Sequence, residues 1–257
     1  TDLAALAKAA EQTDGSLLGT FTGEDLVETF APYFMPDIIK DKQLDTEKLR
    51  TVLQELQTIA AHCDMVEKYK KGERASNEWD LPSAMQAVLC QISGFNDAMF
   101  DLAIINLVKG DYTSFENAYI PTVEIGVNAN TKQADLAKEF AAFVMSREVQ
   151  DGDFYDGFPV NKESLHMQVS LDRSDYAAYT TIEGADGQEI GLDIEPIKAA
   201  DADKLEALCD SLSKKTVKDA KVLEELKKSV PDYLLGRQSL DDTISKIQDG
   251  VKIYLAE

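Results

Sequence analysis

Apolar residues recur at helical spacing over much of this chain, and their phase predicts most of its elements. Leu3, Leu6 and Ala10 share one face behind a potential cap at Asp2, which predicts a helix over Asp2–Glu11. Thr13-Asp14-Gly15-Ser16 reads as the turn that ends it. Thr22 can cap a second helix carrying Leu26, Val27 and Phe30, with Pro32 and Pro36 limiting its extent. A third helix starts near Asp45 or Thr46. It carries Leu49, Val52, Leu53, Leu56 and Ile59 and runs to about Lys70, followed by the polar stretch Lys70–Asn77.

The middle of the chain changes texture. Ala84–Ile92 is a short apolar run that fits a buried strand, Gly94 breaks it, and Phe95–Val108 can be helical. In Thr122–Asn128 the residues Val123, Ile125 and Val127 alternate as in a strand. Asn130 or Thr131 then caps a helix whose stripe is Leu136, Phe140, Phe143 and Val144. Tyr155–Pro159 is an aromatic, glycine-containing loop. Thr180–Ile182 and Glu189–Ile194 flank an Asp186-Gly187 pair and read as a hairpin. Asp201 or Asp203 can cap a helix through Leu212. Thr216 with Asp219, and Ser239 with Asp242, resemble capping boxes with Asp in place of Glu. The last helix places Leu240, Ile244, Ile247, Val251 and Leu255 on one side. Many helices around few strands predict a helix-rich α/β fold.

Charge narrows the partners. Lys and Arg number 26 against 47 Asp and Glu, a formal net charge of −21, which repels phosphate backbones and anionic lipid surfaces. The basic pairs Lys214–Lys215 and Lys227–Lys228 lie on predicted helices and read as solvated faces. Cys63, Cys90 and Cys209 are odd in number, widely spaced and set among apolar residues, as buried free thiols are. His62 and His166 are far apart, so neither a zinc site nor a His-based triad is expected. No apolar run reaches the roughly 18 residues of a membrane span. The opening Thr1 leads directly into a helix and reads as the start of a processed or excised fragment.

Three stretches together resemble the bacterial extracellular solute-binding proteins of sugar-type ABC importers. The first, Thr122–Gln150, is similar to the family's strand ending in G-x-N-A-N, followed by a helix with A-x-E-F-x-x-F and a terminal S-x-E-x-Q. These are Gly126, Asn128, Ala129, Asn130, Ala137, Glu139, Phe140, Phe143, Ser146, Glu148 and Gln150 here. The second, Gly157–Lys162, resembles the family's G-x-P-V-N-K loop, and the third is the closing stretch from Leu234 to Glu257, with its Ser-Leu-Asp-Asp-Thr helix start and terminal Y-L-x-E. The resemblance implies a periplasmic-binding-protein-like (type II) lobe with a small central sheet. Residues 1–127 would form a second-lobe segment, 128–165 a crossover segment that in the family packs on the first lobe, and 166–257 a return to the second lobe. Most of a first lobe, with its lipidated cysteine, is not represented.

Such a receptor needs aromatic rings to stack on pyranose faces and amides or hydroxyls to meet sugar hydroxyls. By the resemblance these come from loops facing the cleft, and the candidates are Trp79, Gln91, Ser93, Phe95, Asn96, Tyr119 and Tyr155. Each has a plainer reading. Trp79 can be a partly buried packing residue, and Gln91–Asn96 a strand-to-helix turn capped by Ser93 or Asn96. Tyr119 can line a hinge or serve structure alone, and Phe154, Tyr155 and Phe158 can form a satellite core.

The expected function is solute capture by hinge closure between two lobes, most fittingly of a mono- or oligosaccharide. The protein would be anchored outside the cell as a lipoprotein and dock on the membrane subunits of an ABC importer. No enzymatic activity, cofactor, metal or nucleic acid is expected, since G-x-S-x-G, H-E-x-x-H, P-loop and G-x-G-x-x-G signatures do not occur. The alternatives are a receptor for a peptide or osmolyte, a helical interaction module without a pocket, and a carboxylate-based glycoside hydrolase.

Overall fold

Helices dominate the computed structural model, which describes residues 1–13, 17–68, 94–108, 111–152, 157–171, 178–183 and 188–256. Asp2 caps α1 (Leu3–Glu11), its carboxylate accepting the Ala5 N–H at 2.7 Å. After β1 (Thr20–Phe21), Thr22 and Asp25 form a reciprocal capping box at the start of α2 (Gly23–Ile38). Gly23 is required there by close packing, because a Cβ would lie 2.9 Å from the Pro231 side chain.

Pro32 and Pro36 do not limit α2; both lie inside it. Pro36 has no N–H to offer the Pro32 carbonyl, and the Val217 N–H takes that place at 3.0 Å. A tertiary hydrogen bond thus replaces the helical one.

β2 (Ile39–Lys40) and β3 (Gln43–Leu44) pair through a two-residue turn in which Asp41 and Lys42 have φ of 48° and 61°. Asp45 caps α3 (Thr46–Ala61), and Leu49, Val52, Leu53, Leu56 and Ile59 are all buried. The helix ends at Ala61, well short of Lys70. Asp64 donates its N–H to the Gly19 carbonyl at 2.9 Å, and β4 (Asp64–Met65) pairs in parallel with β1.

The helix predicted over α4 (Phe95–Val108) is present. β5 (Ala118–Tyr119) follows, but Thr122–Asn128 forms no strand and is exposed throughout. Next come α5 (Ala134–Val144), α6 (Arg147–Gln150) and α7 (Lys162–Val169). α5 starts later than a cap at Asn130 or Thr131 would place it; Gln133 stands at the cap position without a side-chain bond. β6 (Ala178–Glu183) and β7 (Glu189–Ile194) make the expected antiparallel hairpin.

α8 (Ala199–Ser211) begins before both Asp201 and Asp203. Lys214 and Lys215 form β8 rather than part of a helix. α9 (Ala220–Leu234) is capped by Asp219 itself, which accepts from Lys221 and Val222, whereas Thr216 is buried and donates its N–H to the Tyr119 carbonyl. Ser239 does cap α10 (Leu240–Ala256), accepting the Asp242 N–H at 3.1 Å. The runs Lys70–Asn77 and Ala84–Ile92, and the Asp186-Gly187 turn, lie outside the described residues.

Instead of one central sheet, the described strands form four separate two-stranded ladders. The main core packs α1, α2 and α3 against α9 and α10. Phe30, Met35, Leu53, Leu56, Leu226 and Ile247 are essentially inaccessible there. A smaller cluster joins Leu165 and Val169 of α7 to Ala202 of α8, with Phe95, Phe158, Ile197 and Cys209 packed against it.

Candidate functional site

The candidate residues scatter in the structure. Trp79, Gln91, Ser93 and Tyr155 lie outside the described residues. Asn96 falls in the first turn of α4. The Phe95 ring meets Phe158 edge-on, centroids 5.0 Å apart at 88°, and belongs to the smaller cluster. Phe158 therefore does take part in a satellite core, as the plainer reading of its loop anticipates. Tyr119 stands in β5, 41% exposed.

Tyr119 belongs to the parallel pair β5–β8, in which Ala118 faces Lys214 and Tyr119 faces Lys215. The pair runs beside α2. Phe115, just before β5, packs edge-on against Phe30 and Tyr33, and Val217, just after β8, bonds to Pro32. Lys214 ties the pair down through Asp37 at 2.7 Å and Glu116 at 2.9 Å, so it is an ion-paired, mostly covered side chain and not a solvated one. Lys215 pairs with Glu124. Lys227 and Lys228 do lie on a solvated face, paired with Glu24, Glu28, Glu224 and Glu225.

Beyond Tyr119 the chain enters the segment with an unexpected surface. α5 carries the amphipathic stripe read from the sequence, but turned outward. Leu136, Phe140 and Phe143 are 63%, 61% and 46% exposed, while the half-buried positions are the smaller Ala137, Ala141 and Val144. No residue of α5 is buried. Val123, Ile125 and Val127, the predicted strand, are exposed as well, and Val123 reaches 79%. Exposed large apolar side chains grouped on one helix face in this way mark an interaction site more often than a solvent face.

The motif residues after α5 form a satisfied polar network instead of a ligand site. Gln150 is buried; its Nε2 donates to the Val144 carbonyl and its Oε1 accepts the Val160 N–H, both at 2.9 Å. Asn161 caps α7 with its Oδ1 and donates Nδ2 to the Met145 carbonyl at 3.2 Å. Asp151 accepts from the Ser164 hydroxyl at 2.6 Å and pairs with Arg147, and these two partners hold its carboxyl below the usual range. Gln168 donates to the Asp151 and Gly152 carbonyls. The sequence signal for these roles is the S-x-E-x-Q and P-V-N-K pattern itself, which marks positions without saying what they bond.

The described residues include surface depressions of about 480 and 620 Å3. One lies between β3 and α10, and the other is lined by Glu24, Lys218, Glu224 and Lys227. Neither is lined by Phe95 or Tyr119. Among the described residues, no group of three or more His, Cys, Asp or Glu side chains is placed to hold a metal ion, and no helix is long and apolar enough to cross a membrane. Comparison with protein-family models and with curated protein sequences returns no match.

Proposed function

We propose that these residues form one jaw of an extracellular solute-binding protein that captures a sugar and delivers it to an ABC importer. The observation that carries the reading is α5, whose three large apolar side chains face solvent while its half-buried positions are Ala137, Ala141 and Val144. A helix so oriented is finished by a second surface, and an opposing lobe would supply it. The paired strands β5 and β8 support the reading, because two adjacent chain segments tied to α2 are a natural place for one lobe to rotate against another. The helix-rich fold and the three resembling stretches fit the same class. Anchoring outside the cell through a lipid would follow from it, as would docking on importer membrane subunits. Binding and release, with no bond broken, is then the whole of its chemistry. A receptor for a peptide or osmolyte would share this architecture.

The same outward face favours a second reading, a helical interaction module whose partner is another protein. A thermal-shift screen of the full-length protein against mono- and oligosaccharides separates the two. A ligand at about 100 times its dissociation constant adds about 2.7 kcal/mol to stability. A saturable shift with a sugar supports the receptor, and no shift with any sugar, peptide or osmolyte leaves the module. Recovery of cleaved oligosaccharide would overturn both in favour of a hydrolase.

A further inference from the structure

We propose that Gln150, seconded by Asn161, is a positioning residue that holds α5 and its outward apolar face at a fixed attitude to α7. An eleven-residue helix is marginal in water when it stands alone, so α5 needs tertiary ties to stay formed. Its side chains offer few, since none is buried. The ties gather at its C-terminal end, where the last carbonyls lack intrahelical partners. Three successive carbonyls are met there by side chains: Phe143 by the Ser146 hydroxyl at 2.7 Å, Val144 by Gln150 Nε2, and Met145 by Asn161 Nδ2. Ser146 is local to the turn. Gln150 and Asn161 reach further, because Gln150 Oε1 also takes the Val160 N–H and Asn161 starts α7. One buried amide therefore joins the end of α5 to the loop that leads into α7. An amide suits the place because it donates from one atom and accepts at another with no proton to gain or lose.

The inference rests on the proposed reading only in what the face is for; the clamp is tested without any solute. Hydrogen exchange is followed in the 257-residue chain and in Gln150→Leu and Gln150→Glu. Gln150→Leu removes both bonds, and exchange across 134–145 should quicken about tenfold, as should the Val160 amide, for the loss of one to two hydrogen bonds. Gln150→Glu keeps an acceptor for Val160 but has no donor for Val144, so 134–145 should loosen while Val160 stays protected. In both, α2, α3 and α9 should exchange as in the parent. Unchanged protection over 134–145 in Gln150→Leu overturns the proposal. So does loss of protection throughout the main core, which would make Gln150 a residue of global stability. A sugar shift that fails while this exchange pattern appears would count against the receptor reading alone.

Discussion

Phe140 and Phe30 carry the same side chain in opposite surroundings, and replacing each with alanine tests whether α5 truly presents its apolar stripe. Phe30 is 0% exposed in the main core, whereas Phe140 is 61% exposed. Removing a buried phenylalanine costs the transfer free energy of the ring and leaves a cavity, together about 3–5 kcal/mol. Most of the Phe140 ring is already in water, so little transfer free energy is lost. Alanine also favours a helix over phenylalanine by a few tenths of a kcal/mol. Phe140→Ala should therefore change the unfolding free energy by no more than about 0.5 kcal/mol. The combined Leu136→Ala, Phe140→Ala, Phe143→Ala variant should remain near neutral too. Urea unfolding followed by circular dichroism measures both, with Phe30→Ala as the internal standard. A loss of more than about 2 kcal/mol for Phe140→Ala would refute the reasoning, since only a ring buried in the folded chain can cost so much.

Two further predictions concern titratable groups. His166 Nδ1 lies 2.9 Å from Glu206, and this hydrogen bond and charge raise the histidine above its ordinary value. The bond's contribution is complete below the unfolded-state value of about 6.5 and fades as pH rises through the folded-state value. The melting-temperature gap between the parent and His166→Gln should thus be wider at about pH 5.5 than at about pH 8.5, by a small margin for so exposed a pair; equal gaps would refute it. Burial pushes the Cys63 thiol up to about 12 and the Cys209 thiol up to about 11. Iodoacetamide at about pH 8 should leave both unmodified in the native protein and label both after denaturation. Peptide mass spectrometry showing prompt native labelling of either would contradict this.

The sequence was most legible where one face of a helix meets the main core. Asp2, Thr22 and Ser239 cap as their positions predict, and α3 starts where its pattern predicts and buries its whole stripe; α10 buries Ile244, Ile247 and Val251, with Leu240 and Leu255 half-buried against the same core. It misled where a tertiary partner overrides a local rule. Pro36 stays helical because Val217 serves the carbonyl it leaves free, and α3 stops early because Asp64 and Met65 pair with β1. Lys214 looks like a solvated surface residue until Asp37 and Glu116 are placed beside it, 177 and 98 residues away in sequence. Periodicity found the stripe of α5 but could not give its direction, because spacing records that a face is apolar and not whether this chain covers it. Of the candidate site, only Phe95, Asn96 and Tyr119 are placed, and the first is engaged by Phe158. Loop chemistry of this kind depends on which loops meet, and a linear pattern does not record that.

The bond from Val217 to the Pro32 carbonyl also bears on how the protein is made. Its two halves are read from the message far apart, and the main core is likewise assembled from residues 3–65 and 222–251. A ribosome that has released α2 and α3 has exposed greasy surfaces whose cover is still unsynthesised. Closure must wait for α9 and α10 to emerge, and until then the early helices are open to wrong contacts.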